Sequence, residues 1–330
     1  MTCNNMMISI IVLTYNAEWE KLSATLISII SQIKINPQII IADDGSVNNH
    51  ENNIISLFGH FDFSNYKMSL QSENRGTVDN LDRALKLCDG KYVKAISPGD
   101  YFYNEDSLFK WLTFMVENDS KISFGDAIFY YLDKKAIKTI NYYSSPLCKD
   151  AYVTNDRSEL FIRYLLGNDT ILGAALAFEK HMLTYLLNKA KRKLKYAEDF
   201  IVRIAVFENI KIDYFNNPVI WYEYGTGIST SNIEKWNIRI LNDYNSSNDI
   251  ILHDDITPDY LSEKFKRFLS KTNRAGNINK IIKVLYFPSL IRIRFEMQYK
   301  VKHENKIIKA VHNNFINWVL MKAEEYNASN

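Results

Sequence analysis

The stretch Gln38-Ile39-Ile40-Ile41-Ala42-Asp43-Asp44-Gly45-Ser46 decides how this chain is read. Three consecutive isoleucines and an alanine form an unbroken apolar run. Such a run marks a strand covered on both faces, as in a parallel sheet, rather than the alternating pattern of a strand with one wet face. The run stops at two carboxylates, a glycine and a serine, all residues that favour turns. Open α/β sheets collect ligands outside the carboxyl ends of their strands, where this acidic turn falls.

The flanking sequence repeats the arrangement. Ile8-Ser9-Ile10-Ile11-Val12-Leu13 is a second continuous β-branched run, and it ends at Thr14-Tyr15-Asn16. Between the two runs, Leu22, Leu26, Ile29, Ile30 and Ile33 have helical spacing, so a helix is predicted from Trp19 to Gln32, closed before Pro37. Further on, a helix is predicted over 47–59, a short strand over Lys67–Leu70, and a helix from Thr77 to Cys88 ended by Asp89-Gly90. Tyr92–Ile96 is then a strand that stops at Ser97-Pro98-Gly99-Asp100. Strands alternating with helices at this spacing predict an α/β doubly wound sheet with right-handed crossovers. Three polar clusters, at 14–16, 43–46 and 97–100, then share one edge.

Beyond Tyr101 the pattern loosens. Helices are predicted over Ser107–Val116, Glu159–Leu166 and Glu179–Lys195, with a hairpin of Ala127–Tyr131 and Ala136–Tyr142. Tyr196-Ala197-Glu198-Asp199 opens a helix over Phe200–Glu208, and Lys211–Tyr214 and Val219–Tyr222 are late strands. Tyr224-Gly225-Thr226-Gly227-Ile228-Ser229-Thr230 reads as a loop. From about Trp236 the sequence is mostly helical, which divides the chain into an α/β region, 1–235, and a helical basic region, 236–330.

Composition narrows the class. Apolar residues are 47% and charged residues 24%, as in an ordinary water-soluble globular protein. Cys3, Cys88 and Cys148 are odd in number and far apart, which argues against a disulfide framework, and no His pair has zinc spacing. Gly-x-Ser-x-Gly, P-loop and Gly-x-Gly-x-x-Gly motifs are missing. The start lacks a basic n-region and a small-residue cleavage site, and no apolar run reaches 18 residues, so a cytoplasmic protein is expected. Charge is uneven. Residues 261–330 carry 14 Lys/Arg against 5 Asp/Glu, although the whole chain is only +2. Basic and large apolar residues alternate from Lys280 to Phe295. The 280–310 segment therefore reads either as a surface drawn to anionic lipid or as a packed helical subdomain with a solvated basic face. No nucleic-acid-binding module accompanies the charge, so nucleic acid is not an expected partner.

The order of motifs resembles the family 2 glycosyltransferases, which have the GT-A fold, a Rossmann-like mixed sheet flanked by helices. The matching pieces are Ser9 to Asn16, Ile41 to Ser46, Glu73-Asn74-Arg75-Gly76 with Asn80, Asp89-Gly90-Lys91-Tyr92 leading to Asp100, and Glu198-Asp199. They cover about residues 7–230, most strongly the first hundred. The resemblance implies an inverting transfer of a sugar from a nucleoside-diphosphate donor, such as a UDP-sugar, to a hydroxyl of a glycan or polyprenyl-diphosphate-linked acceptor. The implied setting is bacterial surface polysaccharide (lipopolysaccharide, O-antigen or capsule), with the protein peripheral at the inner face of the cell membrane.

Each matched position has its own chemistry. A carboxylate at the end of the second strand, Asp44 or alternatively Asp43, can accept from a base N–H. Thr14, Tyr15 and Asn16 sit where they can bracket base or ribose, with Ser97 on the same edge. Arg75 can reach a diphosphate as a charged donor, and Asn80 can bond the ribose or support the loop. The family holds Mn²⁺ or Mg²⁺ with two or three acids where this chain keeps only Asp100, Ser97 and Gly99 standing in the other places. A carboxylate at Asp199, with Glu198 as the alternative, is the implied general base. A non-catalytic nucleotide-sugar binding module and a sugar-phosphate nucleotidyltransferase are the rival expectations.

Overall fold

The computed structural model describes residues 7–133, 136–140, 145–225, 234–255, 259–272, 279–303 and 314–329. In chain order the first half is β1 (Ile8–Thr14), α1 (Trp19–Ile30), β2 (Gln38–Asp43), α2 (Glu51–His60), β3 (Tyr66–Leu70), α3 (Thr77–Leu85), β4 (Tyr92–Ile96), β5 (Tyr101–Phe102), α4 (Ser107–Glu117), β6 (Ile122–Asp133) and β7 (Ala136–Thr139). The second half is α5 (Asp150–Val153), α6 (Arg157–Leu166), β8 (Leu176–Glu179), α7 (Lys180–Ala190), α8 (Ile201–Phe207), β9 (Asp213–Glu223), α9 (Glu234–Leu252), α10 (Tyr260–Thr272), α11 (Asn279–Tyr286), α12 (Ser289–His303) and α13 (Asn314–Ser329). Two single 3₁₀ turns, Gly173–Ala175 and Glu198–Phe200, precede β8 and α8.

The strands form one mixed sheet in the order β3-β2-β1-β4-β8-β6-β9-β5, with β7 paired to β6. The β3-β2-β1-β4 half is parallel, and β8 joins it antiparallel to both β4 and β6. Every residue of β1 and β2 is buried, as their uninterrupted apolar runs require. The register pairs Thr14 with Asp43 and Val12 with Ile96, so the polar clusters that follow these strands do reach one edge.

Alternate side chains fill two cores. Ile11, Leu13, Ile40 and Ala42 face α3, α6, α7 and α8, and the same core takes Phe265, Leu290 and Ile293 from the C-terminal helices. Ile10, Val12, Ile39 and Ile41 face α1, α2 and α4. On that second side α13 lays Ile316, Val319, Ala323 and Tyr326 against the core, one stripe of a helix, and Asn327 accepts from Trp19 Nε1 at 2.9 Å. Full burial of each Ile or Val is worth about 1.5–3 kcal/mol, which makes this helix part of the fold.

Several expected elements shift. Helix α3 ends at Leu85 and α7 at Ala190, and the acids 198–199 form a separate 3₁₀ turn instead of a helix start. The two late strands are one strand, β9, and the first arm of the hairpin begins earlier, at Ile122. The hairpin positions 141–142 and the loop positions 226–230 lie outside the described residues, as do 304–310 of the basic segment. Cys88 and Cys148 are buried free thiols. No helix among the described residues is long and apolar enough to cross a membrane.

Candidate active site

At the ends of β1 and β2 the acidic turn is a latch. Asp43 accepts from the Thr14 hydroxyl at 2.8 Å and from the Ser46 N–H and hydroxyl at 2.8 and 2.6 Å. Asp44 accepts the Arg75 N–H at 2.9 Å through one oxygen and the Gly76 N–H at 2.8 Å through the other. Both acids are buried, so these bonds to charged groups are the strong kind. Gly45, at φ +78°, brings its Cα against the backbone of residues 73 and 74, where a Cβ would lie 2.5 Å from the Glu73 carbonyl carbon. Asn16 takes a left-handed φ of 48°, donates its N–H to Ser46 and accepts from Val47. The Tyr15 ring is half exposed beside it. Asn80 donates to the Ala42 carbonyl at 2.7 Å, while its own buried Oδ1 has no partner among the described residues. The Arg75 side chain is exposed, 3.7 Å from Glu73.

The next turn along the edge carries Asp100. Gly99, at φ +97°, donates its N–H to Thr25 and accepts at its carbonyl from the Tyr130 hydroxyl at 2.6 Å. The Asp100 N–H closes the turn on the Ser97 carbonyl, and Asp100 Oδ1 accepts the Glu223 N–H at 3.3 Å. A backbone hydrogen bond from Ser97 also reaches that carboxylate, while the Ser97 side chain is exposed. Lys94, fully buried in β4, donates to the Ala95 and Ala174 carbonyls. Burial pushes its ammonium down to about 7, against the opposing pull of Asp100. Burial pushes Asp100 up to about 7, against the Glu223 amide and Lys94.

Glu198 and Asp199 complete the edge. Gly173 packs against both, with a Cβ there 3.2 Å from Asp199 Cβ and 3.5 Å from Glu198 Oε1. Desolvation raises both carboxyls well above the ordinary carboxylate range, with repulsion from Asp199 adding to it at Glu198 and from Asp243 adding to it at both. The preceding Lys195 carbonyl accepts from Val78 at 3.1 Å and lies where a Cβ on Gly76 would be, 2.5 Å away. Contacts therefore run from Asp44 through Gly76 and Lys195 to Asp199, and on through the Gly173–Ala175 turn to Lys94, whose charge is felt at Asp100.

Three residues that the sequence does not single out build this edge: Lys94, Glu223 and Asp243. Asp243 projects from α9 and accepts the N–H groups of Lys195, Tyr196 and Ala197, at 2.6 Å for Tyr196 and 2.8 Å for Ala197. It is a positioning residue for the turn that carries the acids. Asp243→Asn keeps one acceptor oxygen and removes a negative charge that holds protons on Glu198 and Asp199. Its expected effect is a lower kcat with little change in donor KM, and an acid limb of the pH–rate profile moved to lower pH. A limb that stays in place would make the residue merely structural.

The family model described as glycosyl transferase family 2 matches residues 9–186, more than half of the chain. The chain belongs to glycosyl transferase family 2. An uncharacterised glycosyltransferase of Haemophilus influenzae is 30% identical over 140 residues, 42% of this chain; the chain spans about half the length of that curated relative. Among solved structures, this family 2 chain is similar to S. aureus TarS 1–349 in complex with UDP, with a TM-score of 0.52 and 16% identity over 98% of this chain and 92% of that one. It is also similar to the mannosyltransferase PcManGT of Pyrobaculum calidifontis in complex with GDP-Man and Mn²⁺, with a TM-score of 0.55 and 13% identity over 97% and 86%. These likenesses carry the GT-A fold to the chain.

Proposed function

We propose that the chain is an inverting glycosyltransferase that moves a sugar from a nucleoside-diphosphate donor, a UDP-sugar in the first instance, to a hydroxyl of a glycan or lipid-diphosphate-linked acceptor. The observation that carries this reading is the contact between the Asp199 turn and Gly173–Ala175, whose Ala174 carbonyl is bonded to Lys94 beside Asp100. That chain of contacts links the proposed base to the acid proposed to face the diphosphate. Asp199 takes the proton of the acceptor hydroxyl, the oxygen bonds the anomeric carbon from the far side, and the bond to the diphosphate breaks, so the nucleoside diphosphate leaves with the electron pair. Asp44, by holding the loop 73–76, shapes the floor under the base, while Thr14, Tyr15, Asn16, Asn80 and Ser97 bracket base and ribose and Arg75 is free to swing to the phosphates.

A divalent ion fits the residues present. Among the described residues no group of three or more His, Cys, Asp or Glu could hold a metal. Mg²⁺ and Mn²⁺, however, commonly take only one or two protein carboxylates with phosphates and water. Asp100 offers a buried carboxylate whose hydrogen bonds come from the backbone of Glu223 and Ser97. When bound there, the ion would neutralise charge on the departing diphosphate. A screen of sugar nucleotides for nucleoside diphosphate release, with and without Mn²⁺, tests the reading. Donor-specific release supports it. Thermal stabilisation by a nucleotide sugar with no release would leave a binding module, and stabilisation by nucleoside triphosphates alone would favour nucleotidyl transfer.

The same proposal places the helical region 236–330 against an anionic membrane at the cytoplasmic face, in bacterial surface-polysaccharide assembly. In support, Ile281 and Leu285 on α11 and Phe295 and Tyr299 on α12 are each at least 60% exposed at one-turn spacing. The exposed Arg294 beside them has no acidic partner among the described residues. Leu285→Glu with Phe295→Glu should abolish co-sedimentation with phosphatidylglycerol vesicles while leaving Tm within a few degrees. Undiminished binding would remove the membrane from the proposal.

A further inference from the structure

The Asp100 turn contains a second carboxylate that comes from another strand. Gly99 sits in one of the positions where the resemblance expects an acid, and a Cβ built on it would lie 2.5 Å from Glu223 Oε2. The space that a side chain at 99 would enter is thus occupied by the Glu223 carboxylate, delivered from the last residue of β9. The same residue donates its N–H to Asp100, so its backbone and its side chain both engage this turn. Residues 99 and 223 are brought together by the sheet itself, since Tyr101 and Phe102 of β5 pair with Trp221 and Ile220 of β9. Lys21, in the first turns of α1, reaches Glu223 Oε2 at 2.9 Å and lies against Gly99.

We infer that Glu223 is the second carboxylate ligand of the divalent ion that Asp100 faces, and that Lys21 is the cation Glu223 pairs with until that ion arrives. The inference rests on the reading of Asp100 given above and adds to it the residue that makes up for the acids missing at 97 and 99. One acid with phosphates is a sparse donor set for a hard cation; two acids, one on the turn and one at the end of β9, fall within the usual protein share for Mg²⁺ or Mn²⁺. An ammonium on the same oxygen competes with the ion, so the site should load poorly by itself and better when a diphosphate arrives to supply further oxygens.

The test is Mn²⁺ binding to the full chain by titration calorimetry, in the presence of saturating UDP and, separately, GDP. Wild type is expected to bind one Mn²⁺ with at least one of the two. Asp100→Asn and Glu223→Gln should each weaken that binding about tenfold or more, and Lys21→Met should tighten it. Glu223→Gln binding Mn²⁺ as wild type does, or lowering only the metal-free Tm, would overturn the inference while leaving Asp100 its role. Wild type binding no Mn²⁺ with either nucleotide would overturn the Asp100 reading itself. If Glu223→Gln does not fold, Lys21→Met decides alone, because unchanged or weaker Mn²⁺ binding there contradicts a competing ammonium.

Discussion

Asp199→Asn is expected to lower kcat by roughly 10²–10⁴-fold, the usual contribution of a general base, while thermal stabilisation by the donor nucleotide survives. Loss of solvent at the 3₁₀ turn, with repulsion from Asp243, raises the proton affinity of this carboxylate, so wild-type activity should climb through a pH range above that of an ordinary aspartate. Stability should move the other way. A carboxyl whose folded pKa is raised keeps its proton longer in the folded than in the unfolded state, so it stabilises the fold at low pH and that contribution is lost as pH rises through the raised value. Asp199→Asn and Glu198→Gln therefore should both raise Tm at pH 8, by about 2–4 °C per kcal/mol relieved. Kinetics and scanning calorimetry on the same two variants separate them, since only the base should abolish turnover. Loss of activity with a lower Tm at pH 8 would point to a damaged fold instead of a missing base.

The first hundred residues are legible because their signal is local. Continuous β-branched runs and 3.6-residue spacing name β1 to β4 and their helices, and turn residues name the edge where they end. What the sequence hides is what depends on distance. Asp243 sits 46 residues from the Ala197 amide it accepts, and Glu223 is 123 residues from Asp100. Neither has a local signature, one lying in a polar helix and the other closing a strand. Lys94 leaves a trace, a cation inside an apolar run, but only the fold shows it donating to a carbonyl 80 residues away. Strands β5 and β8 are two and four residues long, too short for periodicity to register. Strand β9 reads as two pieces because Asn216-Asn217-Pro218 interrupts it. The sheet carries it through with a register shift against β6 near Asp126, the kind of irregularity where Pro is tolerated in a strand.

Asp44→Ala is the variant expected to do most damage to binding, and the reason differs from the one its position suggests. A carboxylate at the end of β2 invites a role as reader of a base N–H, yet both of its oxygens accept backbone N–H groups, from Arg75 and Gly76. Truncation would strand two backbone N–H donors, the one on Gly76 buried, at a cost of about 3 kcal/mol or more. Gly76 is also the residue that packs on Lys195, so release of the loop 73–76 would loosen the approach to Glu198 and Asp199. The expected result is a clear fall in Tm together with equal losses of UDP and GDP affinity, with Asp44→Asn intermediate because its amide keeps one acceptor oxygen. If Asp44 instead acts by reading the base, Asp44→Ala should leave Tm nearly unchanged and weaken one nucleotide far more than the other. Thermal unfolding and titration calorimetry on one preparation of each variant tell the latch from the reader.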